Sequence, residues 1–190
     1  MHRILRRALS SSPFRRTPLK HSRVYVGCGK DKRDGFVHCD LRKFRHVKVV
    51  CSAWELDRHF AEADHIYSRH MIEHLRFQDV ERYFKSAYAA LALGSTIETI
   101  VPNMAFHLEQ WGRAVWDQAH WTDTSSDARH SIAGFWGWQR EQEGDPPYWD
   151  THKSGFSAES LRFLLSHAGF SHITTEADGP HLHATAQKML

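Results

Sequence analysis

Val24-Tyr-Val-Gly-Cys-Gly29 is an apolar run that passes straight into a Gly-x-Gly turn. Val24–Val26 has the composition of a buried strand, and the two glycines allow backbone angles and close approaches that side chains would forbid. Working outward, Phe36–Asp40, Val47–Cys51 and His65–Ser68 are further short apolar runs between turn signals, and are predicted as strands. Gly29 and Asp40 stand eleven positions apart. That is shorter than the roughly twenty of a dinucleotide-binding turn, which disfavours a nicotinamide cofactor. A carboxylate at the end of the second strand can accept hydrogen bonds from both hydroxyls of a ribose, so the turn and Asp40 outline a nucleoside site. Taken alone, the pair also fits a tight turn beside an exposed carboxylate.

The loops between these strands are too short for the dozen or so residues that a helical crossover needs. Irregular connections, or a local antiparallel pairing, must replace the helices, and the sheet should be trimmed at that edge. Farther on, Val80, Tyr83, Phe84, Ala87, Tyr88 and Leu91 form a helical stripe, which predicts a helix over Phe77–Leu93 ended by Gly94. Thr96–Val101 is a β-branched strand. A Trp-rich, largely helical insertion at about 104–150 contains Trp111, Trp116, Trp121, Trp136 and Trp138. Its tryptophans could cover a pocket, stack on a substrate or form a protein interface. Ser157 caps a helix over Ala158–His167 that Gly169 stops, and His172–Thr175 and His181–Ala186 close the chain as strands. Alternating strands and helices give an α/β class with a mostly parallel central sheet.

The 190 residues suit one domain. Hydrophobic residues at 41% exclude a disordered chain, and no apolar run approaches the eighteen or so residues of a membrane span. Residues 1–30 hold eight basic side chains and no acid, leaving 17 basic against 22 acidic residues in an acidic body. Met1, Ile4, Leu5 and Ala8 face away from Arg3, Arg6 and Arg7 on a short helix, and Ser10–Pro13 break it. Residues 1–22 are therefore expected to be a basic amphipathic leader of the mitochondrial transit type, with residues 23–190 as the folded domain. A basic tail that binds RNA or an acidic partner is the other reading. Cys28, Cys39 and Cys51 lack the spacing of a zinc knuckle and are expected to be small buried residues in a reducing compartment.

In order along the chain, Val24-Tyr-Val-Gly-Cys-Gly29, Gly35-Phe-Val-His-Cys-Asp40-Leu41, Val49-Val-Cys-Ser-Ala53, Ile66-Tyr-Ser-Arg-His-Met-Ile-Glu-His-Leu75 and Val101-Pro-Asn103 resemble the class I S-adenosylmethionine-dependent methyltransferases, in a compact subgroup with a shortened first crossover. His152-Lys-Ser-Gly-Phe156, Leu161 to Phe170 and His181-Leu-His183 extend the likeness through the last helix and hairpin. The resemblance implies a Rossmann-like sheet with an antiparallel C-terminal strand, and S-adenosylmethionine as cofactor. It further implies that Gly27, Cys28 and Gly29 face the methionine part, Asp40 the ribose, Leu41 one side of the adenine, and Ser52 and Ala53 its edge. Arg69 and His70 would lie near the transferred methyl. Ser52 departs from the acid common in the family, and Leu93-Gly-Ser95 from its double glycine.

Methyl transfer requires alignment of nucleophile and methyl, with a base only when the acceptor must lose a proton. His70 and His74 are the candidate catalytic groups, with Glu73 beside them; His70 and Glu73 could equally anchor the start of the helix. The methyl acceptor is not identified. A second expectation is a non-catalytic methyltransferase-like subunit of a mitochondrial assembly, such as the ribosome or a respiratory complex, docked through the leader or the Trp-rich segment. The most remote is a zinc peptidase, since His70-Met-Ile-Glu73-His74 spells H-x-x-E-H, with a third ligand from Glu143, Asp145 or Asp150. Without the long helix that motif requires, no metal ligand is assigned.

Overall fold

The computed structural model describes residues 17–140 and 148–189. The expected leader helix, Glu143 and Asp145 lie outside them. Seven strands among the described residues, β1 (Arg23–Val26), β2 (Val37–Asp40), β3 (Val49–Val50), β4 (Ala63–Arg69), β5 (Leu91–Pro102), β6 (Ser171–Asp178) and β7 (His181–Gln187), form one sheet in the order β3-β2-β1-β4-β5-β7-β6. The pairings β1–β2, β1–β4, β2–β3 and β4–β5 are parallel. Only β7 runs against its neighbours, β5 and β6. This is the Rossmann-like arrangement expected, with its antiparallel C-terminal strand.

The short early connections are irregular, and they join parallel strands; the antiparallel alternative is not used. β3 shrinks to two residues, which is the trimmed edge. A 3-10 turn over Ala53–Arg58 takes the place of a helix after β3. Leu19 extends the fold upstream of β1: its N–H donates to His59 O at 2.8 Å, and its carbonyl accepts from Ala61 N at 2.9 Å.

Helix α1 (Phe77–Ala90) ends three residues before the predicted boundary, and Gly94 is not its stop. Leu91 turns into the sheet, is buried and pairs with Ala63, so β5 begins at once. Gly94, at φ 80°, lies instead within the irregular start of β5, beside the register shift against β4. The 104–150 insertion contributes α2 (Met104–Arg113), α3 (Gln118–Thr122) and α4 (Asp127–Trp136). Helix α5 (Ala158–His167) starts as predicted, with the Ser157 and Ser160 side chains capping each other's backbone N–H. The main core joins α1 and α5 to one face of the sheet through Ile66, Ile97, Tyr83, Phe84, Leu161 and Leu165. The opposite face has a much smaller buried group, Tyr25, Cys28, Tyr67 and Ile100. Arg33 covers it, its guanidinium 4.0 Å from the Tyr67 ring centroid.

Candidate active site

Strand order runs outward in opposite senses from β1 and β4, and at such a switch point the carboxyl ends of parallel strands leave a crevice. A cavity of about 670 Å³ opens there, within the range of roughly 300–1,000 Å³ usual for cofactor sites. Gly27, Cys28, Gly29, Asp40, Leu41, Ser52, Ala53, Arg69, His70 and His74 all line it. The topology thus brings these ten residues to one cavity, while Glu73, named with them from the sequence, is buried and does not line it.

The amides of the glycine turn are taken up by β2. Gly27 N and Cys28 N both point to Cys39 O, at 2.8 and 3.4 Å, and Gly29 N donates to Asp40 Oδ2 at 2.8 Å. The turn therefore directs its N–H groups to β2. Gly27 also has a packing reason to lack a side chain: at φ 64°, an added Cβ would lie 2.0 Å from Met71 Cγ. Asp40 is 4% exposed and accepts a second backbone bond, from Arg42 N to Oδ1 at 2.8 Å. The Arg42 Nε also lies 3.7 Å from Oδ1; a carboxylate has about four acceptor positions, so the two backbone bonds do not saturate it.

Cys28, Cys39 and Cys51 are buried and free, as expected. Burial first and the Asp40 charge second push the Cys28 thiol up to about 12, which disfavours the thiolate at neutral pH. Ser52 lines the cavity at the start of the 3-10 turn, and its N–H donates to Glu55 Oε2 at 3.4 Å.

On the other wall, His70 has a left-handed backbone at φ 47°, with its N–H held by Ile100 O at 2.8 Å. Its Nδ1 lies 3.2 Å from Glu73 Oε1. Glu73 and His74 belong to a 3-10 turn of three residues, Ile72–His74, so H-x-x-E-H has no helix on which His70 and His74 could stand one turn apart. The peptidase arrangement is absent for that reason. The His70 ring instead meets His181, with centroids 5.0 Å apart.

Sequence reasoning missed several lining residues: Asp31, Arg42, Trp54, Met71, Asp79, Trp149 and Lys153. Asp79 is held below the usual carboxylate range first by the Arg76 hydrogen bond, at 2.8 Å, and further by Arg82. Trp149 carries the Arg42 guanidinium 4.2 Å from its ring centroid, linking residues more than a hundred positions apart. No local pattern announces such a contact. Behind this wall, α2 and α4 meet where the His107 ring fills the space above Gly134, and burial, followed by the nearby His130, lowers the His107 pKa to about 4.

A family model described as a methyltransferase domain matches residues 26–175. Solved structures of similar fold include a SAM-dependent methyltransferase from Archaeoglobus fulgidus, at TM-score 0.56 and 14% identity, covering 89% of this chain and 86% of that one. Another, from Methanosarcina mazei, has TM-score 0.55 and 15% identity over 90% of this chain and 95% of its own. A possible exported protein from Bordetella parapertussis has TM-score 0.54 and 17% identity; it covers 93% of this chain, which spans 64% of its length. Likenesses this remote show the fold. The comparison with curated proteins found no match.

Proposed function

The chain belongs to the methyltransferase domain family, and from that premise we propose that it is an S-adenosylmethionine-dependent methyltransferase whose cofactor enters the cavity beside β1 and β2. The observation that carries this reading is Asp40, a buried carboxylate at the end of β2 that fastens the glycine turn with one oxygen and keeps acceptor capacity for a ribose. The residues fit the cofactor. Gly27–Gly29 leave room for the methionine part, Leu41 and Ala53 offer apolar surface to the adenine, and the Ser52 hydroxyl is a neutral acceptor for its amino group. Bound there, the cofactor supplies a methyl on a sulfonium for in-line displacement, so the protein mainly has to align the acceptor.

His70 is the candidate proton acceptor. With Nδ1 turned to Glu73, its Nε2 is the ring atom left for a substrate proton. Arg69 flanks it at the end of β4. Trp149, Asp150 and Lys153 give the acceptor side an aromatic and charged border. The exposed Trp111, whose ring meets those of Trp116 and Trp136, offers with them a surface for a larger acceptor or a protein partner, and RNA remains among the candidates. The acid-free basic run of residues 1–30 supports mitochondrial import. Residues 1–22 fused to a fluorescent protein should direct it to mitochondria, and diffuse fluorescence would remove that location.

Calorimetric titration with S-adenosylmethionine and S-adenosylhomocysteine tests the function. Micromolar binding, lost in Asp40→Ala while a thermal melt still shows a folded protein, is the expected result. No heat at millimolar cofactor would remove the enzymatic reading and favour the non-catalytic subunit of a mitochondrial assembly.

A further inference from the structure

The base reading uses one oxygen of Glu73 and leaves the rest of its surroundings unexplained. Glu73 is 1% exposed, and its Oε2 has no hydrogen-bond partner. An orphaned carboxylate oxygen at that depth is costly unless something compensates it. His74 and His152 bring their rings to the same place, with centroids 5.0 Å apart. One ligating atom from each of Glu73, His74 and His152 lies within 4.8 Å of the others.

The two histidines are also oriented for ligation. His74 Nδ1 lies 3.3 Å from Thr151 O, and His152 Nδ1 lies 2.9 Å from Gly134 O. A carbonyl oxygen only accepts, so in each ring Nδ1 carries the proton and, in the neutral form, Nε2 holds the lone pair. Such outer hydrogen bonds are what fix the tautomer and ring angle of metal-binding histidines. The strand-end segment and the segment after the insertion are locked together here: Lys153 N and Ser154 N both donate to Glu73 O, at 2.7 and 3.1 Å.

We propose that Glu73, His74 and His152 bind a divalent transition metal ion, with zinc the closest match to two imidazoles and a carboxylate. Four-coordinate zinc holds such ligands at about 2.0–2.2 Å, hence roughly 3.3 Å from one another, so the set needs to close by at most about 1.5 Å. Three protein ligands leave a position open. His74 and the neighbouring Lys153 line the cavity, so an oxygen-bearing methyl acceptor, a hydroxyl or a carboxylate, would complete the coordination. That last step rests on the methyltransferase reading; the binding of the ion does not.

The test uses the full chain, stripped with a chelator and titrated with zinc chloride alone, while S-adenosylhomocysteine binding is measured separately on the same samples. One equivalent of zinc should bind, with affinity about 100-fold weaker in His152→Ala and in Glu73→Gln, and cofactor binding should be little changed. The proposal falls if the wild type binds no zinc, or if His152→Ala binds it as well as wild type; cofactor binding would report independently on the cavity. Should the variants not fold, cobalt(II) added to the wild type decides. A tetrahedral visible spectrum supports the site, and that of the hexaaqua ion overturns it.

Discussion

The two walls of the cavity are held by bonds of different reach. On the cofactor wall, the glycine turn is fixed by Cys39 and Asp40, eleven or twelve positions away, through backbone amides. The facing wall is closed over long spans: His74 to Thr151, Lys153 to His74, and Ser154 to Ile72 lie 77, 79 and 82 positions apart. One wall is a local consequence of two adjacent parallel strands. Its counterpart exists only when the 104–150 insertion has folded and returned the chain to the end of β4. Damage to the insertion should therefore disturb acceptor chemistry and spare cofactor binding.

The sharpest separation should come from His70→Gln. Turnover with an acceptor that must lose a proton is expected to fall about 100-fold or more, with the cofactor Kd unchanged by calorimetry; an equal loss in both would merge the two walls. Gly27→Ala attacks the other side. Its Cβ meets Met71 and its backbone is left-handed, so cofactor affinity should drop about 100-fold. Met71→Ala in the same chain should restore part of it, because the clash is removed while the backbone strain stays.

Gly134→Ala would place a Cβ 2.2 Å from His107 Cγ, between α2 and α4. A loss of about 1–3 kcal/mol in chemical denaturation is expected, with cofactor affinity within about threefold of wild type. Acid should strike the same place. The His107 ring takes up a proton near pH 6.5 in the unfolded chain but only near about 4 in the folded one. The unfolded state therefore binds more protons as pH falls from 6.5 toward 4, and stability declines across that window. His107→Gln should flatten this part of the melting-temperature profile. The smallest effect belongs to Ser52→Asp, which should tighten cofactor binding by about three- to tenfold through a charged acceptor for the adenine amino group; unchanged affinity would place the adenine elsewhere.

The same contrast explains what could be read from the residues. The strand-turn run at Val24–Gly29 and the carboxylate at Asp40 are local signals, and so was the Ser157 cap. The destination of the turn amides was not legible, because an N–H looks alike in sequence whether it meets a ligand or β2. Gly94 looked like a helix stop since Leu91 fits the apolar stripe of α1 as well as it fits the sheet interior. His152 gave no sign of joining Glu73 and His74, as its partner atoms come from across the insertion. Within H-x-x-E-H, the His70 ring meets His181, whereas Glu73 and His74 approach His152, far downstream.

Leu19 fixes a boundary for any maturation at the amino side. Its peptide group is stitched to both His59 and Ala61, so a peptidase trimming the chain beyond that point would strip this bridge, which pairs Leu19 with Phe60, from the domain. Cuts upstream of it would leave those bonds untouched, which makes Leu19 a natural limit for shortened forms of the protein.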